Sequence, residues 1–168
     1  MGAAYVIIGH SERREHLGEE DWMINRKLRA ALEAKPLCPV LCIGEGAEDR
    51  DNDQREEVLS RQLGEALSGI ELKAGQNIIV AYEPVWAIGS GMTPELDDID
   101  YVLDMIRVFL RRAFGDTADA ACAVLYGGSV NSETAKNIAA LPSCDGLLVG
   151  GASLQAKEFY RVAATVVE

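Results

Sequence analysis

Five short runs of almost unbroken apolar residues punctuate this chain, and long amphipathic stretches separate them. The runs are residues 5–8, 40–43, 78–82, 123–126 and 147–149. A strand with one wet face alternates apolar and polar residues, whereas a strand covered on both faces does not. These runs therefore predict parallel strands buried on both sides. The stretches between them, 21–34, 53–67, 96–114, 133–141 and 157–167, supply the cover. The longest repeats Ile99, Val102, Leu103, Ile106 and Leu110 at helical spacing. Strand and helix alternate five times, which implies βαβ units in one α/β sheet with right-handed crossovers. No linker interrupts the pattern, so residues 1–168 read as one domain. Residues 44–52 read as a polar loop and 116–119 as a turn.

The residues with chemical potential all follow a strand. His10 follows the first, Glu83 the third, Ser129 the fourth and Gly150-Gly151 the fifth. Ligands collect at the carboxyl ends of parallel strands, so four separate segments aim at one end of one sheet. The richest segment is Ala81-Tyr82-Glu83-Pro84-Val85-Trp86-Ala87-Ile88-Gly89-Ser90-Gly91. An apolar strand delivers one carboxylate to its exit, then a proline and an apolar tip closed by Gly89 and Gly91. A carboxylate under a hinged apolar lid suits proton transfer away from water. A carboxylate that merely caps a loop is the alternative reading.

Charge and cysteine usage narrow the partners. A net charge of −11 argues against nucleic acid and against anionic membrane surfaces. An anionic ligand must then rely on local donors. No apolar run approaches the ~18 residues that cross a bilayer. Met1-Gly2-Ala3-Ala4 lacks the basic start of a secretory signal. Cys38, Cys42, Cys122 and Cys144 form no C-x-x-C pair and have only His10 and His16 to join them, so zinc spacing is absent. Cys42 and Cys122 sit in or beside apolar runs, and buried, reduced thiols suit a cytoplasmic protein.

Five segments together resemble the triosephosphate isomerase family. They are Tyr5-Val6-Ile7-Ile8-Gly9-His10-Ser11-Glu12-Arg13-Arg14, Pro39-Val40-Leu41-Cys42-Ile43-Gly44-Glu45, Ala81-Tyr82-Glu83-Pro84-Val85-Trp86-Ala87-Ile88-Gly89, Leu125-Tyr126-Gly127-Gly128-Ser129-Val130 and Asp145-Gly146-Leu147-Leu148-Val149-Gly150-Gly151. The resemblance implies a (β/α)8 TIM barrel, a fold of typically ~250 residues. It runs from the family's fourth strand to its eighth helix, so an incomplete barrel of five βα units is expected. The family's first three units fall outside the resemblance. With them fall a lysine that touches substrate and a loop that reaches the neighbouring subunit. The implied reaction interconverts dihydroxyacetone phosphate and glyceraldehyde 3-phosphate, in glycolysis and gluconeogenesis, with no cofactor and no metal.

Residue roles follow from the same resemblance. Glu83 matches the catalytic base. His10 matches the electrophile, a neutral imidazole facing the start of a short helix; that assignment belongs to the family rather than to these residues alone. Glu12 matches a carboxylate that supports the site. Gly89, Ser129, Gly150 and Gly151 match a phosphate cradle built largely from backbone N–H groups. Pro84, Val85, Trp86, Ala87, Ile88 and Gly89 match the lid. Ile88 and Leu148 are expected to close over the substrate, with a core role open for Leu148. Cys42 is expected to pack behind the base, Arg13 and Arg14 to form structural ion pairs, and His16 to face solvent. Two departures stand in the lid. Ser90 replaces a common threonine. Pro94 stands where many members offer a backbone N–H to the tyrosine matching Tyr126, and proline has none.

An open five-stranded sheet exposes the edges 5–8 and 147–149 and part of the face meant to fill a barrel. Self-association through those edges is expected, with weak or absent activity in the chain alone. Two other readings stand beside the isomerase: a non-catalytic fragment or anion-binding scaffold, and another phosphate-handling barrel enzyme. The pairing of His10 with Glu83 under a lid argues against the last.

Overall fold

A computed structural model describes residues 2–34, 36–90 and 92–167, and in it the five apolar runs form one parallel sheet. Strands β1 (Tyr5–Ile8), β2 (Cys38–Ile43), β3 (Ile78–Tyr82), β4 (Cys122–Tyr126) and β5 (Gly146–Leu147) lie side by side in chain order. The helices are α1 (Ser11–Leu17), α2 (Asp21–Glu33), α3 (Ala47–Asp51), α4 (Arg55–Leu67), α5 (Leu96–Phe114), α6 (Ala118–Ala121), α7 (Ala135–Ala139) and α8 (Ala156–Val167).

Register fixes which side chains share a face. Ile7 pairs with Val40, Val40 with Ile79 and Ile79 with Ala123. The alternate set, Ile8, Leu41, Val80 and Val124, points to the helices. There it meets Ile24 and Leu28 of α2, Leu59 and Leu63 of α4, and Leu103 and Ile106 of α5, all fully buried. Burial of that apolar surface, at roughly 25 cal/mol per Å2, drives the fold. The opposite face carries only a small cluster, Val40, Cys42 and Ala81, with Ile79, Leu125 and Leu148 half-buried around it. At its β1 edge Tyr5 and Ile7 remain 63% and 48% exposed. The sheet is thus open, with β1 and β5 as its free edges, as the reading of an incomplete barrel requires.

Several boundaries differ from the sequence reading, each for a local reason. The expected polar loop 44–52 contains α3. There the Asp49 carboxylate accepts the Gly46 N–H at 2.9 Å, and Glu48 and Asp49 favour the positive helix start. Five residues are too few to show an apolar stripe. Helix α4 starts at Arg55 rather than at 53, because Asp53 has a φ of 57° and cannot belong to a right-handed helix. The turn expected at 116–119 is a 3-10 turn, Gly115–Thr117, running into α6. Strand β2 begins two residues early, where the Cys38 N–H meets the Ala4 carbonyl at 2.8 Å. Helix α7 is shorter than 133–141, since the Asn131 side chain takes the Glu133 and Thr134 N–H groups into a turn. Strand β5 covers Gly146–Leu147 rather than 147–149 and pairs only with β4. Gly91, expected to close the lid, lies outside the described residues.

So short a strand needs a side chain to hold it. Asp145 donates its N–H to the Val124 carbonyl at 2.8 Å and accepts the Val124 N–H on Oδ2 at 2.7 Å. Arg107 of α5 pairs with Oδ1 at 2.6 Å. Asp145→Ala is expected to lower the unfolding free energy by about 1–2 kcal/mol, read as an earlier urea midpoint with an unchanged slope.

Candidate active site

The carboxyl end of β1 turns straight into α1, and that turn builds half the site. His10 caps the helix: its Nδ1 accepts the Glu12 N–H at 3.3 Å. An accepting Nδ1 carries no proton, so the hydrogen bond assigns the ring proton to Nε2. Nε2 faces Glu83, 3.1 Å from Oε1. The approach is close without being an aligned hydrogen bond, since Oε1 is buried with no hydrogen-bond partner among the described residues.

Glu83 leaves β3 at the point where the strand meets the lid. The residue is 2% exposed. Its Oε2 accepts the Ser11 N–H at 2.9 Å, so the start of α1 holds both catalytic candidates. Burial raises the Glu83 pKa above the usual carboxylate value, opposed by the Ser11 N–H, by His10 and by the Cys42 thiol. Cys42 is fully buried behind the base, where desolvation and then the Glu83 charge keep its thiol protonated. The backbone beside Glu83 admits only glycine. A Cβ on Gly44 would sit 1.7 Å from the Glu83 carbonyl oxygen.

One cavity of about 590 Å3 gathers the rest. His10, Glu12, Glu83, Gly89, Ser129, Gly150, Gly151, Ile88 and Leu148 all border it. Every residue assigned from sequence to catalysis or to the phosphate cradle is therefore in one place. A second hollow, of about 550 Å3 between Cys38 and Asp119 at the opposite end of the strands, holds none of these groups. Leu148 both borders the cavity and packs on the inner apolar cluster. Glu12 is exposed, and its backbone N–H, rather than its carboxylate, ties it to His10. Among the described residues, no Lys or Arg borders the cavity. Arg13 pairs with Glu19 at 2.5 Å and Arg14 with Asp21 at 2.6 Å, away from the cavity, while His16 is exposed.

The lid shows a contact that sequence reading passed over. Val85–Ala87 forms a 3-10 turn, held at its root by Glu45. This fully buried carboxylate accepts the Trp86 indole N–H at 2.8 Å and the Tyr82 hydroxyl at 3.0 Å. Its backbone carbonyl accepts the Val85 N–H at 3.1 Å. Arg50 stacks over the Trp86 ring at 4.3 Å. The signal was present: Glu45 follows its strand as Glu83 follows β3. Beneath the lid Tyr126 is buried with its hydroxyl unpartnered among the described residues, close under Gly128. Pro94 is buried too.

The pattern of the triosephosphate isomerase family matches residues 1–166. The chain belongs to that family. It is 46% identical over 159 residues to the triosephosphate isomerase of Moorella thermoacetica, and 44% identical over 162 residues to that of Chloroflexus aurantiacus. Those alignments cover 95% and 96% of this chain but 63% and 64% of the relatives. The crystal structure of triosephosphate isomerase from Bartonella henselae superposes with a TM-score of 0.84 at 36% identity, over 99% of this chain and 65% of that one. The chain thus spans under two thirds of the length of the family members it matches.

Burial of Glu83 has a stability consequence whose sign follows from its raised pKa. A native carboxyl with a raised pKa binds its proton longer than the unfolded one does. The penalty is absent below the unfolded value, near 4.5, and full above the native value. Glu83→Gln is therefore expected to melt higher than the parent near neutral pH. That gain should fade as pH falls towards 4.5. Melting curves of both chains across that range check it.

Proposed function

We propose that this chain carries the proton-transfer and phosphate-binding parts of a triosephosphate isomerase site. The observation that carries the reading is the buried Glu83 carboxylate 3.1 Å from His10 Nε2, bordering the cavity that the four cradle residues also line. In this reading Gly89, Ser129, Gly150 and Gly151 hold the phosphate of a triose phosphate through N–H groups and a hydroxyl. Glu83 leaves the Ser11 N–H and takes a proton from the carbon beside the substrate carbonyl. The Nε2–H of His10 polarises that carbonyl as the enediolate forms. Glu83 then returns the proton to the neighbouring carbon, so ketose becomes aldose with no net change of atoms. Water is kept out by Ile88 and the lid.

The five βα units correspond to the C-terminal part of the family barrel, residues 1–168 acting as one partial domain. Three more units close an eight-stranded barrel, whether the same polypeptide or another supplies them. The lysine expected on those units supplies a cation to a cavity that no Lys or Arg borders among the described residues. The five units alone are accordingly weak or inactive. Their free β1 edge, with Tyr5 and Ile7 exposed, favours self-association. A cytoplasmic setting goes with the family's chemistry and with four free thiols.

An isomerase assay of the chain alone, and mixed with a fragment supplying the family's first three units, tests the reading. Activity is expected in the mixture, and Glu83→Ala should lower its kcat by about a hundredfold to ten-thousandfold. A mixture that assembles but stays inactive favours the non-catalytic reading. Light scattering of the chain alone should give more than a monomer mass, and Ile7→Lys should reduce it.

A further inference from the structure

The ladder between β1 and β2 ends at the pair Ile8–Leu41. The chain then turns into α1 at Ser11, and Gly44, three residues past Leu41 and just beyond the end of β2, has no β1 residue beside it. A side chain stands in for one. The Gly44 N–H donates to Gln62 Oε1 at 2.9 Å, and the Gly44 carbonyl accepts from Gln62 Nε2 at 3.0 Å. Gln62 lies on α4 and is 5% exposed, so both ends of a buried amide are used on one peptide residue. Gly44 in turn is pressed against the backbone of Glu83. The Glu83 N–H is bound to the adjoining Ile43 carbonyl at 2.8 Å, and the next residue, Glu45, grips the lid root.

We propose that Gln62 is a positioning residue for Glu83, acting from the outer helix layer through Gly44. This rests on the reading of Glu83 as the base. Gln62 does not border the cavity that His10 and Glu83 share. By holding both polar groups of Gly44 it fixes the surface on which the Glu83 carbonyl rests and the register of Glu45 with Trp86. Without it, a buried donor and acceptor lose their partners together, and the segment behind the base shifts to find others.

Two substitutions separate positioning from simple support of the fold. Gln62→Met keeps the volume and removes both hydrogen bonds. Gln62→Glu keeps both while the introduced carboxyl is protonated and loses its donor on ionisation. The readouts are the Ser11 amide and Trp86 indole N–H resonances in 15N spectra, and kcat and KM with the barrel completed. Gln62→Met should shift both resonances and lower kcat about tenfold, with KM within about twofold, because three of the four cradle residues, Ser129, Gly150 and Gly151, follow β4 and β5. Gln62→Glu should match the parental resonances at low pH and shift them towards the Gln62→Met positions as its new carboxyl ionises and the Gly44 carbonyl loses its donor. The proposal is overturned if Gln62→Met melts earlier yet leaves both resonances in place and kcat within twofold. It also fails if Gln62→Glu keeps parental resonances after ionisation. The spectra need no turnover, so an inactive completed barrel defeats the isomerase reading while the resonances still decide the role of Gln62.

Discussion

Taking the Glu83 carboxylate out of water governs the arrangement around it. A buried carboxylate is tolerable only where donors compensate it, and here the compensation is partial. One oxygen has the Ser11 N–H; the other faces His10 without an aligned bond. That imbalance keeps the group basic. It also explains why β1 must end where it does. The strand has to release the chain into α1 at Ser11, so that the helix start faces the carboxylate and His10 caps it. Gly44 must lack a side chain because the backbone delivering Glu83 already occupies that space.

The second buried carboxylate repeats the logic with a different result. Glu45 is raised in pKa by burial, as Glu83 is, but its donors are an indole and a phenol, whereas Glu83 has one backbone N–H. It anchors the lid where Glu83 is left partly free. Two carboxylates at the exits of neighbouring strands thus differ in their partners: one is tied to Trp86 and Tyr82 at the root of the 85–87 turn, the other keeps one oxygen without a hydrogen-bond partner among the described residues.

Sheet order and the helix-facing core were legible because they depend on residue type at fixed period: unbroken apolar runs for β1 to β4, and Ile99, Val102, Leu103, Ile106 and Leu110 for α5. The cavity-lining residues were legible through family segments more than through chemistry alone, since glycines at 89, 150 and 151 look like ordinary turns in isolation. What escaped was set by contacts distant in sequence or by single dihedrals. The Gln62 amide gives no cue that it will meet Gly44 eighteen positions earlier. Helix α3 is too short for periodicity, and the start of α4 turns on the left-handed backbone at Asp53.

The cavity borders elements from both edges of the open sheet. His10 hangs on β1, while Gly150 and Gly151 follow β5, with β2 to β4 between them. A triose phosphate that met both would act as a strap across the unfilled face, joining the two strands that have a neighbour on only one side. Ligand affinity and sheet integrity would then be thermodynamically linked, so that occupancy would draw the edges together and any loosening of β5 would weaken the ligand's hold.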